Sequence, residues 1–350
     1  MAGPGGHAEG MEQTDVPTPA AGPGFPAEDV VAGLVRAATL APSMHNTQPW
    51  RFRIRRASQE IELYADPARM LGYSDPHGRA VHLACGAALM NLRIAVMMAG
   101  REPRVTLLPD PGPRPPRPPT LLATLRLAGP YRPTEADREL YAVIAARHTN
   151  RKPFSNRPVP PRVMAELVAA ARLEGAVLHL PDHEETRRLL HLVADAERDL
   201  LAEPGYRSEL ARWVGGQRDR DGIPDSALGP RDPGRATPVR DFGTASADYD
   251  WFEETPQLAV LATATATPLG WLRAGQALQR VLLTATVHGI ASCPLTQPLE
   301  TADAWLVRDP RSASDSPQMI LRLGYGLPVP ATPRRPVAEV LDEPGPGAFG

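Results

Sequence analysis

Apolar positions at helical spacing, Val30, Val31, Leu34, Val35 and Ala38, predict a helix that starts at Ala27 and ends at Pro42, because a residue preceding proline is pushed out of the helical region. The period then changes to two. Trp50, Phe52 and Ile54 alternate with Arg51, Arg53 and Arg55, which predicts a strand over 50–54, and a second alternating run over 61–64 makes a hairpin. Residues 78–99 are apolar on almost every side and stop at Gly100, as suits a helix buried at the centre of a fold. Strands follow over 104–108 and 121–127. Thr134 and Asp137 then open a capped helix that runs to about Arg147. Beyond it the pattern gives a helix over 161–173, a strand over 176–180 and a charged amphipathic helix over 183–202, interrupted by Pro204-Gly205. A β-branched strand over 256–265, a second long apolar helix over 269–288 and a strand over 318–324 complete an α+β chain.

The two apolar helices carry a repeat. Gly86-Ala87-Ala88-Leu89 leads to Gly100 with the same Gly-to-Gly spacing by which Gly275-Gln276-Ala277-Leu278 leads to Gly289. Helices so rich in Gly and Ala can approach closely, which suits a pseudo-twofold contact between two related halves, 27–132 and 133–340. Residues 1–26, rich in Gly, Pro and Ala, read as a disordered tail, 110–120 as a polyproline-type connection, and 341–350 as a C-terminal tail. Residues 218–237 combine Arg, Asp, Gly and Pro and cannot form core, and the whole stretch 213–237 has little apolar content. A loop of that length inside a domain is a lid, a binding loop or a solvated segment.

Composition narrows the classes. Hydrophobic residues make up 42% and charged residues 22% of 350, which is globular, and a net charge of -2 gives no general argument for nucleic acid or an acidic membrane. His82, Asn91 and Arg93 argue against a membrane span at 80–100, and the N-terminus shows no signal-peptide pattern. Two cysteines without ligand spacing imply a reducing cytoplasmic setting, and Cys293 reads as a packed small side chain. The nine histidines show no metal-ligand clustering; His45, His77, His82 and His288 read as surface or core residues. No Gly-rich phosphate loop follows a strand, and Ser43 has no evident triad partner.

Two stretches carry candidate chemistry. Ser43, Asn46, Thr47 and Gln48 form a polar loop between Pro42 and Pro49, either the rim of a ligand rich in donors and acceptors or a plain helix-ending turn. Arg147-His148-Thr149-Asn150-Arg151-Lys152 could hold a phosphate through charge-assisted hydrogen bonds, or simply place cations at a helix C-terminus.

Ala41-Pro42-Ser43-Met44-His45-Asn46-Thr47-Gln48-Pro49-Trp50 resembles the Ser-x-x-Asn-x-Gln-Pro-Trp segment of the nitroreductase-fold FMN proteins, and its His-Asn-Thr-Gln-Pro-Trp form is similar to the Acg-like subfamily, in which two halves are fused. The resemblance spans about residues 27–340. It implies a pseudo-dimer in one chain, a monomer binding one FMN. Pro42, Ser43, Met44, Asn46 and Gln48 would line the flavin, and Arg147, His148, Thr149 and Arg151 would hold its phosphate. Pro294, Leu295, Thr296 and Gln297 would lie along the ring, and Arg334 and Arg335 would complete the phosphate site. The phosphate motif stands only in the second half and the polar loop only in the first, so one of two composite sites is furnished. Implied with the fold are NAD(P)H as reductant and a nitro compound, quinone or similar acceptor. The Acg-like form equally implies a flavin-storing protein whose ring is covered by the 213–237 insertion, and a degenerate colourless relative is a third reading. The resemblance assigns no catalytic side chain and no metal.

Overall fold

Two long helices cross at the centre of the molecule. In the computed structural model, which describes residues 24–110, 120–231, 239–242, 249–308 and 315–342, α1 (Glu28–Thr39) leads through a polar turn to the hairpin β1 (Trp50–Arg55) and β2 (Glu60–Ala65). The central helix α2 (Arg79–Met98) follows, then β3 (Arg101–Leu107), β4 (Leu121–Pro130) and α3 (Glu135–Ala142). The second half comprises α4 (Pro161–Leu173), β5 (Val177–His179), α5 (His183–Ala202), α6 (Pro204–Trp213), β6 (Gln257–Thr263), the other central helix α7 (Pro268–Val287), β7 (Ala291–Pro294) and β8 (Ser316–Gly324). A short α8 (Val337–Val340) and β9 (Leu341–Asp342) close the described chain. The expectations for 1–23, 111–119, 232–237 and 343–350 lie outside the described residues.

Each half is a sheet packed on its own central helix. The first sheet has the order β3-β4-β2-β1-β9 and the second β5-β6-β8-β7. Trp50, Phe52, Ile61 and Leu63 turn into the first core against Leu89 and Leu92 of α2, while Leu261, Leu321 and Leu323 turn into the second against Val281 and Leu282 of α7. The halves meet where α2 and α7 touch backbone to backbone. A Cβ on Gly86 would lie 2.3 Å from the Leu272 carbonyl oxygen, and one on Gly275 would lie 2.1 Å from that of Leu83, so each glycine faces the residue three before the other. Across the same seam the Gln279 amide donates to Asn91 Oδ1 (2.7 Å). Among the described residues one helix, Arg79–Met98, is long and apolar enough to cross a membrane, but most of it is buried inside the fold.

Four local expectations are corrected. The capped helix ends at Ala142 rather than near Arg147. Beyond it Ile144 and Ala146 bond three residues back, a tightening that carries Arg147 inward. Pro204 does not interrupt a helix so much as begin one, standing in the first turn of α6 where its missing N–H costs nothing. Cys293 and Pro294, which lie outside the elements that the hydrophobic pattern predicts, form an edge strand. Leu341 and Asp342, assigned by sequence to a tail, pair in parallel with Phe52 and Arg53 of β1.

Candidate functional site

The polar turn after α1 is held in an unusual backbone. His45, Asn46 and Gln48 have φ of 49°, 56° and 50°, a left-handed conformation that costs non-glycine residues roughly 1–3 kcal/mol each and persists only where surroundings impose it. The surroundings are explicit. The Asn46 amide donates to the carbonyls of Gly222 and Pro333 (2.9 Å each). Gln48 donates to the Arg220 carbonyl (2.8 Å) and accepts the Arg335 N–H (2.9 Å), while its own N–H is received by Ser43 Oγ (2.9 Å). Asn46 and Gln48 therefore staple the turn to the insertion and to the C-terminal segment, and their side chains do not line the cavity.

The turn forms one wall of an open-mouthed cavity of about 1010 Å³, mouth included, between the halves. Pro42, Ser43, Met44 and His45 come from the turn, Arg79, Ala80, Leu83 and Ala84 from the start of α2, and Leu278 and Leu282 from α7. Thr149 and Arg151 enter from the basic segment, Cys293 and Pro294 from β7, and Thr296 from the turn after it. The basic segment runs beside β7, where Thr149 pairs with Ser292 and Asn150 N–H donates to the Ser292 carbonyl (2.9 Å), so two sequence motifs far apart in the chain meet there.

Of the residues expected at a flavin, the cavity collects Pro42, Ser43, Met44, Thr149, Arg151, Pro294 and Thr296. Leu295 points instead into a core cluster with Leu189 and Val193, and Gln297 is buried away from the lining. Arg335 does not fit a phosphate role either. Its guanidinium lies between Asp66 (3.6 Å) and Glu339 (3.5 Å), which compensate its charge.

Arg147 and Arg334 stand next to the turn as a cationic pair that no carboxylate within ion-pair distance balances among the described residues, with the neutral imidazole of His148 beside them. Arg334 Nε donates to the Thr39 carbonyl (2.9 Å) and Nη1 to Asn46 Oδ1 (3.1 Å), and Arg147 Nη2 donates to the Leu40 carbonyl (3.2 Å). The Thr39 and Leu40 carbonyls stand at the C-terminal end of α1, whose dipole favours cations. Arg147 Nε is buried with no partner among the described residues. Burial, reinforced by Arg334, lowers Arg147 to about 9, and burial alone lowers Arg334 to about 10. Burial, then the charges of Arg147 and Arg334, pulls His148 down to about 4. A dianionic phosphate fits such a group, because it would supply the missing counter-charge and an acceptor for the orphaned nitrogen.

The insertion contributes more than its sequence suggested. Gly229 and Pro230 line the cavity, and Gly229 packs so closely that a Cβ would stand 2.2 Å from the Arg151 carbonyl oxygen. Val239, Arg240 and Phe242 also line it, beyond the 213–237 limits expected from composition. Arg240 reaches Glu300 (2.5 Å), Thr296 Oγ1 (2.9 Å) and the Tyr206 hydroxyl, and Asp241 N–H donates to Glu197 (2.6 Å). Sequence reasoning had no signal for Arg79, Arg240 or Phe242. It also set His45 aside as an ordinary histidine, though its place inside the polar motif could have drawn attention.

The profile of the Nitroreductase family matches residues 144–325. A Mycobacterium tuberculosis protein named "Putative NAD(P)H nitroreductase Rv3131" is 37% identical over 331 residues, covering 91% of this chain and 93% of its own. The same organism's "Putative NAD(P)H nitroreductase acg" is 32% identical over 322 residues, covering 89% and 95%. Among solved structures, the FMN-dependent nitroreductase NfnB of Mycobacterium smegmatis, in complex with NADPH, is 19% identical at a TM-score of 0.33 and covers 57% of this chain and 94% of that one. A Bacteroides fragilis nitroreductase with bound FMN is 14% identical at a TM-score of 0.35, covering 58% and 94%.

Proposed function

Since the chain belongs to the nitroreductase family, we propose that it binds one FMN in the cavity between its halves and passes electrons from NAD(P)H to a nitro compound, quinone or similar acceptor. The observation that carries this reading is the uncompensated cationic group at the end of α1, with its orphaned Arg147 nitrogen, adjoining a cavity that gathers seven of the expected lining residues. The bound flavin would supply two-electron chemistry, and the protein supplies position and electrostatics. Arg147, Arg334 and Thr149 hold the phosphate end. Ser43, Met44 and Arg151 flank the body of the cofactor, and the apolar side chains Leu83, Leu278, Leu282 and Met319 limit water around it. Because both halves of this site come from a single chain, no second copy is required, and we infer a monomer in the cytoplasm.

A second reading is favoured by the cover that Gly229, Pro230, Val239, Arg240 and Phe242 place on the cavity. Hydride transfer requires a nicotinamide stacked against the ring, and a fixed cover denies that approach. The protein would then retain flavin and turn over little. One experiment separates the two: the visible spectrum of the purified protein, followed anaerobically after NADPH. Bleaching at catalytic rates supports the oxidoreductase. Slow bleaching that speeds up in Phe242→Ala supports the covered flavin. A colourless protein that takes up no FMN overturns both.

A further inference from the structure

Phe242 and His45 share one wall of the cavity, and each has an unusual feature. His45 is 6% exposed and its Nε2 has no hydrogen-bond partner among the described residues, although a buried imidazole nitrogen ordinarily finds one. Burial, together with the nearby charges of Arg240 and Arg151, holds the imidazole well below its usual value, so the ring is neutral. Phe242 stands edge-on to it, with ring centroids 6.5 Å apart, and lies 5.4 Å from the Arg151 guanidinium. An aromatic ring from the insertion thus fills the space in front of two hydrogen-bonding groups and offers an oxygen to neither.

We propose that Phe242 occupies the seat of an aromatic electron acceptor, which binds by displacing it and turning an oxygen towards His45 Nε2 and Arg151. The proposal rests on the flavin reading above and deepens it by assigning the acceptor's place. The seat suits a flat ring, because Ala80, Leu83, Ala84 and Leu282 line the same cavity. It selects an oxygen-bearing ring, because an oxygen can accept from the Arg151 guanidinium and, in the tautomer that carries the proton on Nε2, from His45, whereas a phenylalanine does neither. It disfavours a cationic acceptor, since Arg79, Arg151 and Arg240 all face the cavity and only Arg240 has a carboxylate partner among the described residues.

Equilibrium dialysis of the flavin-loaded protein against nitrobenzene and toluene tests this without turnover. Phe242→Ala should tighten both ligands severalfold by emptying the seat. His45→Phe should weaken nitrobenzene about two- to tenfold, the worth of one neutral hydrogen bond, while toluene is little changed, and His45→Gln, which retains an N–H donor, should restore part of the loss. Equal effects of His45→Phe on the two ligands, or no tightening in Phe242→Ala, would overturn the proposal, as would loss of flavin from both His45 variants. Flavin counted on the same samples keeps the two readings apart. A flavin-free wild type refutes the cofactor assignment, whereas a loaded wild type whose nitrobenzene affinity ignores His45 refutes the seat alone.

Discussion

Arg147 keeps a buried charge that no described carboxylate answers, while its neighbour His148 gives up its proton instead. If Arg147 meets a phosphate, Arg147→Ala should weaken FMN about ten- to hundredfold, the worth of a hydrogen bond to a charged group, and riboflavin far less. Equal losses for both ligands, measured by fluorescence titration, would leave Arg147 a structural role only. His148 gives a pH signature. Its folded value, about 4, lies below the ordinary 6.5, so between those two values the unfolded chain takes up a proton that the native cofactor-free protein refuses. Stability should therefore fall as pH drops from about 6.5 to 4, with His45 adding a change of the same sign. His148→Asn should flatten the denaturant midpoint against pH across that window, and parallel curves would refute the assignment. At this scale the sequence showed the motif residues well but not their duties. Ser43, Thr149 and Arg151 reach the cavity as expected, whereas Asn46 and Gln48 are spent on backbone groups of residues 220–222 and 333–335. Those partners lie far along the chain, and nothing local announces them.

Among the elements, the contact of α2 with α7 is the least forgiving. Each glycine there lies where a methyl group would strike a carbonyl of the partner helix, so neither helix can retreat without opening both cores. Gly86→Ala and Gly275→Ala should each cost about 1–3 kcal/mol as overpacked sites, read as a lower urea midpoint. A value near zero for either would mean that the helices can separate freely. These two helices were legible in the sequence because a run that is apolar on all sides, and too long for a strand, suits a buried helix and little else. The short elements were not. β9 holds two residues and β7 ends in a proline, so neither presents an alternation to detect. Only the sheets they join define them.

In the molecule as a whole, the two halves correspond closely where α2 meets α7 and differ around the cavity. Leu282, seven residues beyond Gly275, lines the cavity, whereas Arg93, seven beyond Gly86, is engaged with Glu174 at 2.5 Å. Glu174 caps α4 as Leu40 caps α1, and it also pairs with Arg280 (2.7 Å). An ion-pair cluster thus fills the place where a second apolar wall would stand, so flavin released by denaturation should count one per chain. Two would refute that account of the symmetry. The return of the C-terminal segment to the first sheet has a consequence for how the protein is made. Residues up to 130 leave the ribosome long before Pro333, Arg335 and Leu341, and domains tend to fold as they emerge. Until those late residues arrive, β1 keeps a bare edge and Asn46 and Gln48 lack their downstream anchors, so the nascent first half waits with an adhesive strand exposed. Chains cut after Thr332 should aggregate and emerge without flavin; soluble, yellow truncated protein would show that the late segment is dispensable. Cofactor capture thereby waits for residues 333–342, and a chain whose translation stops before them should carry off no flavin.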